Sequence, residues 1–372
     1  MIARSTSTRN LYNEMNELDR NELLARLNIF DTDMFPVKGY KEITTDTINT
    51  SELSHCDFVK YRRNAEGEFG EDMGWRWNAS EVMLSRIANF MGFENVAQNN
   101  LAIIVNSDGG MVSGSSSKRM HCSGKEIIQL SNLLGEKTRI TEAGEELSEE
   151  GEDNIFHKRF LEMPLDRVVI FLNEMGASQV LIEKLMEEFL LKSYLLMTDT
   201  RAFTNLFVAV DPGEIENYDE SEIKNAAHGG RSKLARPLEN AEHGGFLDFE
   251  ASDFFKGYDG GRQMKLTAEK KIADDNMRFL FENFPGIVAS FAKKLESINT
   301  PEFEELFRDF GRVEGFFFSK EYTTEFNEIL VTICGHMKNR ATILNGQCHE
   351  FLQVRKDSAN QINQNTNIEL NK

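Results

Sequence analysis

The run "LLMTDTRAFTNLFVAV", residues 195–210, constrains the chain more than any other stretch. It interrupts an apolar segment with Asp199, Arg201 and Asn205, then resumes through Leu206, Phe207 and Val208. The resumed run reads as a buried strand with Asn205 at its mouth. Asparagine is disfavoured in strands, and a half-buried amide needs partners. One reading is a turn or cap residue. The other is a Mg²⁺ ligand, because amide and carboxylate oxygens suit that hard cation. Further along, "GGFLDFEASDFF" sets Asp248 between Leu247 and Phe249. An unpaired aspartate against an apolar strand costs on the order of several kcal/mol, and a metal would supply the missing charge.

The rest of the chain frames these two stretches. Residues 9–29 place Leu11, Met15, Leu18, Leu23 and Leu27 at helical spacing, as in a capping or docking helix. Residues 37–63 are rich in Thr, Ile and Val with turn residues between, a strand pattern. "WNASEVMLSRIANFMGF" reads as an amphipathic helix, with Asn78 as N-cap and Glu81 completing a capping box. "NLAIIVNSDGGMVSGSS" reads as two strands joined by a turn at Asp108-Gly109-Gly110. Residues 136–154 are acidic and mark a solvated boundary. "LDRVVIFLNEMG" and "SQVLIEKLMEEFLLKSYLLM" then show strong helical periodicity. Residues 211–245 are polar with glycine turns and read as an insertion, 266–355 are helical again, and the tail is Asn/Gln-rich and frayed. This order predicts an α+β fold, a small strand-rich lobe with one helix followed by a larger helical lobe, with the lobe interface as the ligand site.

Charge excludes several functions. With 61 acidic and 42 basic residues the net charge is −19, which disfavours nucleic acid as a partner because phosphate contacts need basic surface. The 28 phenylalanines against 6 prolines favour a helix-rich architecture. The four cysteines are scattered without a CxxC pair, which argues against zinc and for reduced thiols in a cytosol-like compartment. The chain shows no apolar signal core and no run long enough to span a bilayer, so a soluble protein without a cleaved signal peptide is expected. GxSxG and HExxH are absent, which sets aside Ser-His-Asp hydrolases and zinc proteases.

Two further residues join the candidates. Lys60, in "DFVKYRR", follows an apolar pair in a strand, and Glu81 stands in the next helix. Taken singly they are an edge-strand lysine and a capping acid. Taken together they have the spacing of the ion pair that orients a lysine onto nucleotide phosphates.

The serial pattern of strand Lys60, helix Glu81, two strands, a helical block, Asp199 with Asn205, and Asp248 resembles the protein-kinase-like superfamily. "DFE" resembles its metal-binding DFG element with glutamate in place of glycine. The likeness is nearer to atypical branches, the HipA-like and phosphatidylinositol-kinase-like enzymes, whose catalytic stretch runs Asp-Arg-His-x-x-Asn. "TRAFTN" keeps Arg201 and Asn205 at that spacing, but the base position falls on Thr200, with Asp199 one residue early, and the histidine position on Ala202. Gly39 stands without the spaced glycines of ordinary kinases.

The resemblance implies a bilobal protein-kinase-like fold. It divides the chain into an N-terminal extension (1–35), an N-lobe (36–135), a helical C-lobe (136–355) with the insertion at about 211–245, and a polar tail (356–372). It implies ATP with Mg²⁺, or Mn²⁺ as the alternative cation. Lys60 would hold the α- and β-phosphates, Glu81 orient Lys60, Asn205 and Asp248 bind metal, Asp199 act as base or orient the acceptor, and Arg201 balance charge. The acceptor would be a protein or phosphoinositide hydroxyl. In its Phe-rich, acidic composition and Asn-rich tail the chain looks like the effector kinases that intracellular bacteria of the Legionella type deliver into the host cytoplasm.

The insertion also carries Lys224, Arg231, Lys233 and Arg236. Such clusters are usually solvated surface, but these can grip a phosphorylated activator or substrate such as an inositol polyphosphate or a phosphoinositide headgroup. Phe316–Phe318 beside Lys320 read as core, or as a loop for peripheral membrane contact. Two other classes stand against the kinase: an inactive or AMP-transferring pseudokinase-like protein, motivated by Thr200, and a non-enzymatic helical interaction module in which Asp199 and Asp248 are caps.

Overall fold

Short strands, among them the apolar run "NNLAIIV" and the small-residue run "MVSGSSSK", build the N-terminal sheet. A computed structural model of the chain describes residues 17–18, 21–22, 28–31, 45–49, 57–62, 74–105, 111–118, 124–131, 159–198, 203, 205–211, 238–246, 249, 252–256, 261–314 and 320–370. Strands β1 (Asn28–Asp31), β2 (Thr45–Asn49), β3 (Asp57–Arg62), β4 (Asn99–Val105) and β5 (Met111–Lys118) form a five-stranded sheet in the order β1-β4-β5-β3-β2. The pairing is antiparallel except at the edge, where β1 runs parallel to β4. Asn28 and Ile29, the end of the expected N-terminal helix, are therefore strand. Leu18, expected on that helix's packed stripe, is 75% exposed. The other stripe residues lie outside the described residues.

Helix α1 (Gly74–Phe90) lies on this sheet against β4 and β5. The central strand β5, "MVSGSSSK", is narrow enough to let it approach, and the buried Ser115 hydroxyl meets Glu81 of the helix. The amphipathic reading of α1 needs correction: residues 79–85 are buried without a break. The helix is covered on its far side too, by Phe90 against Phe303 and by Arg86, whose guanidinium meets Glu314 at 2.5 Å and lies over the Phe310 ring.

A second, three-stranded sheet joins β6 (Glu126–Gln129), β7 (Phe207–Val210) and β8 (Glu242–His243) in antiparallel register. β8 lies within the stretch read as an insertion. Helices α2 (Leu165–Glu174) and α3 (Gln179–Tyr194) match the periodic runs, and Ser178 caps α3 by accepting from the Leu181 amide at 3.2 Å. After the short α4 (Asp253–Lys256) come α5 (Gly261–Ala268), α6 (Asp274–Asn283), α7 (Pro285–Glu296), α8 (Pro301–Glu314) and the long α9 (Lys320–Leu370). Residues expected as a frayed tail continue α9, since no Gly or Pro follows Gly346 to stop it. The described fold is thus mixed helix and strand, mostly helical, with small sheets.

One buried arginine locks the helices together. The Arg340 guanidinium, from α9, donates to the carbonyls of Ser193 (2.6 Å), Tyr194 (3.0 Å), Ala268 (3.1 Å) and Lys270 (2.6 Å). These carbonyls end α3 and α5, where aligned peptide dipoles concentrate negative potential, so two helix termini serve as its counter-charge. Burial pushes its pKa down to about 10. Next to it the Gln347 amide imitates a strand neighbour, accepting from the Ile272 amide at 3.2 Å and donating to the Ile272 carbonyl at 2.7 Å.

Candidate functional site

Glu81 is 5% exposed on the face of α1 that meets the sheet. Its Oε2 accepts a hydrogen bond from the Ser115 hydroxyl at 2.6 Å. Ser115 is in register with Lys60 on one side and Leu101 on the other. Sheet register therefore carries Lys60 to the strand position adjoining the residue that binds Glu81. The capping-box role expected for Glu81 is not the one found. The helix starts at Gly74, so Asn78 stands inside it, and the carboxylate faces the sheet.

Described residues on either side of Asp248 contact the α1 helix, the turn after it and the end of α3. Asp248 itself lies outside the described residues, as do Asp199, Arg201, Lys224, Arg231, Lys233 and Arg236. The neighbours of Asp248 are placed. Phe246 exchanges backbone hydrogen bonds with residues 95 and 97, donating to the Asn95 carbonyl at 2.9 Å and accepting from the Ala97 amide at 3.0 Å. The buried Phe249 accepts from the Ser80 hydroxyl at 3.2 Å. Ser252 bridges Met197, its hydroxyl donating to the Leu195 carbonyl at 2.6 Å. The segment holding Asp248 is thus tied to the residue preceding Glu81 and to the chain entering the Asp199–Asn205 stretch.

Asn205 is 8% exposed and adopts φ 61°, and Phe203 adopts φ 63°. Asparagine tolerates the left-handed region, but for a bulky phenylalanine it is a genuine departure. Strain of this kind persists where surroundings over-determine it. Phe203 is fully buried, its ring stacked 5.7 Å from Phe171 and tilted 6.3 Å from Phe160. The following Leu206 carbonyl accepts from Leu130 at 2.7 Å, which starts the β6–β7 ladder.

Beneath this turn lies a charge network that sequence reading missed. Glu188 and Lys192, one turn apart on α3, are both fully buried and 2.9 Å apart. The Lys192 ammonium donates to the Asn205 carbonyl. The second Glu188 oxygen meets His243 Nε2 at 2.9 Å. Burial alone would push the Glu188 carboxyl up, but Lys192 and His243 override it and hold the carboxyl below its ordinary value. An acid and a base one turn apart look like a surface ion pair. The available signal was that apolar residues surround both in "EEFLLKSYLL", the mark of a helix buried all round.

Among the described residues no group of His, Cys, Asp and Glu is arranged to hold a metal ion, and no helix is long and apolar enough to cross a membrane. No family model matches the chain, and no curated protein does. Among solved structures, it aligns with a Helicobacter pylori proinflammatory kinase, CtkA, over 84% of this chain and 98% of that one, at 14% identity and a TM-score of 0.38. A likeness that slight carries no argument about fold or chemistry.

Proposed function

We propose that the chain is an atypical ATP- and Mg²⁺-dependent kinase with a small strand-rich N-lobe and a larger helical C-lobe. The observation that carries this reading is the register of β3 on β5, which sets Lys60 opposite Ser115 while Ser115 binds Glu81. Register sets Lys60 at the strand position beside the residue that binds Glu81, and a phosphate-holding lysine is oriented by a direct ion pair with such a helix glutamate. A second support is the path of the Asp248 segment, fastened to Ser80 beside Glu81 and to Leu195 ahead of Asp199.

In this reading Lys60 holds the nucleotide phosphates and Glu81 orients it. Asn205 and Asp248 offer the amide and carboxylate oxygens that suit Mg²⁺. Asp199 orients or deprotonates the acceptor hydroxyl, and Arg201 balances charge there. The acceptor is a protein or phosphoinositide hydroxyl. Lys224, Arg231, Lys233 and Arg236 are assigned to a phosphorylated activator such as an inositol polyphosphate, and the effector role rests on compositional resemblance alone.

The decisive test is thermal stability with and without Mg²⁺-ATP for the wild type and Asp248→Ala, since a ligand that binds the folded state raises its apparent stability. A metal-dependent shift absent from the variant supports the reading. No shift, with or without inositol hexakisphosphate, leaves the helical interaction module. Thr200 at the base position motivates a second reading, AMP transfer. Label from the α-phosphate rather than the γ-phosphate on the acceptor would establish it.

A further inference from the structure

Charge is buried under the Asn205 turn where an apolar pair would cost less. Lys192 and Glu188 are both fully enclosed, and the His243 side chain is 6% exposed. Replacing a buried ion pair with well-packed apolar residues is often neutral or stabilising, so such a pair is weak evidence for a stability role. Its contacts suggest another. Lys192 reaches the Asn205 carbonyl, in a turn where Phe203 and Asn205 both hold left-handed backbone. Glu188 reaches His243 on β8, in the segment that leads through Gly244 and Gly245 to Phe246 and Asp248.

The histidine end is equally defined. The Gly245 amide donates to His243 Nδ1 at 3.3 Å, which makes Nδ1 the acceptor and assigns the Nε2 proton to the Glu188 bond. Glu188 thus meets both His243 and Lys192, and its carboxylate balances the Lys192 ammonium. Gly244 meanwhile packs against β7 so closely that an added Cβ would stand 2.8 Å from the Phe207 carbonyl carbon. The β8 end is held by Glu188 on one side and β7 on the other.

We infer that Lys192 is a positioning residue: held by the buried Glu188 carboxylate, which His243 also binds, it fixes the turn at Asn205 and so sets that proposed metal ligand. The inference rests on the kinase reading above. It concerns the placement of Asn205, which neither fold stability nor nucleotide contact alone requires.

The test replaces the pair together, Glu188→Leu with Lys192→Met, and compares it with the wild type. Readouts are the unliganded melting temperature and the Mg²⁺ concentration that gives half the ATP-induced stabilisation. The double variant is expected to retain a cooperative melting transition while needing about tenfold more Mg²⁺ or beyond, the scale on which partners of metal ligands act. An unchanged Mg²⁺ requirement overturns the inference and leaves the kinase reading standing. A wild type that shows no Mg²⁺-ATP stabilisation overturns both. Should the double variant not fold, His243→Ala decides, since it spares the ion pair and removes only the imidazole that holds Glu188. A raised Mg²⁺ requirement there supports the inference, and an unchanged one overturns it.

Discussion

The Ser80 hydroxyl donates to the Phe249 carbonyl at 3.2 Å, both groups buried and 169 residues apart in the chain. One short side chain thereby fastens the helix that carries Glu81 to the segment that carries Asp248. Ser80→Ala strands the carbonyl without its donor and is expected to cost about 1–2 kcal/mol in a denaturant titration. In the kinase reading it also weakens Mg²⁺-ATP stabilisation, and a variant with wild-type stability and wild-type nucleotide response would show that the link does nothing.

Arg340→Met removes the donors for four carbonyls at two helix ends. A loss of about 3 kcal/mol or more is expected, because several buried acceptors lose their partner at once. Arg340→Lys recovers only a part, since an ammonium cannot span the two ends as the planar fork does. Urea unfolding midpoints of the three proteins check the order.

Acid should act through Glu188. Its carboxyl is held below the ordinary value of 4.5, so the unfolded chain takes up the proton first. The stability this group contributes is intact above that value and is lost as pH falls below it toward the folded pKa. Unfolding midpoints measured from about pH 6 down to about pH 3 should fall more steeply in the wild type than in Glu188→Gln.

Gly244→Ala has no room. The new Cβ would meet Phe207 backbone at 2.8 Å, and backbone cannot swing aside as a side chain does. A cost of about 1–3 kcal/mol is expected from overpacking at the β7–β8 pairing, read as a lowered melting temperature. Gly286→Ala, whose Cβ would meet nothing, is the control.

Cys334 and Cys348 are free and buried, and burial pushes their thiols up to about 11 and about 12. Thiolate is the reactive form. Both should resist alkylation at neutral pH in the folded protein and react on unfolding, which peptide mass mapping can follow.

How much of this was legible beforehand depended on whether a residue's role is local. The strand position of Lys60, the helix position of Glu81 and the strand after Asn205 were legible because strand and helix periods place them. Ser115 was not, since a hydroxyl in "VSGSSSK" has no period and its partner comes from a helix earlier in the chain. Asn78 misled because a capping box is a local pattern, and the helix found four more residues upstream, from Gly74. Glu188 and Lys192 were hidden because spacing cannot distinguish an exposed ion pair from one that tertiary packing buries. Arg340 looked like one basic residue in a polar helix, and only the convergence of α3 and α5 gives it a task.

That convergence has an implication for the order in which the protein is made. The carbonyls that Arg340 binds belong to residues 193–194 and 268–270, all synthesised before their partner. Until α9 leaves the ribosome, those carbonyls lack the guanidinium that binds them in the folded chain. A nascent chain stopped short of residue 340 would hold every residue assigned to the nucleotide site and lack the group that closes the helices beneath it. In the kinase reading, nucleotide binding should therefore arrive late in translation, with the last helix rather than with the last site residue.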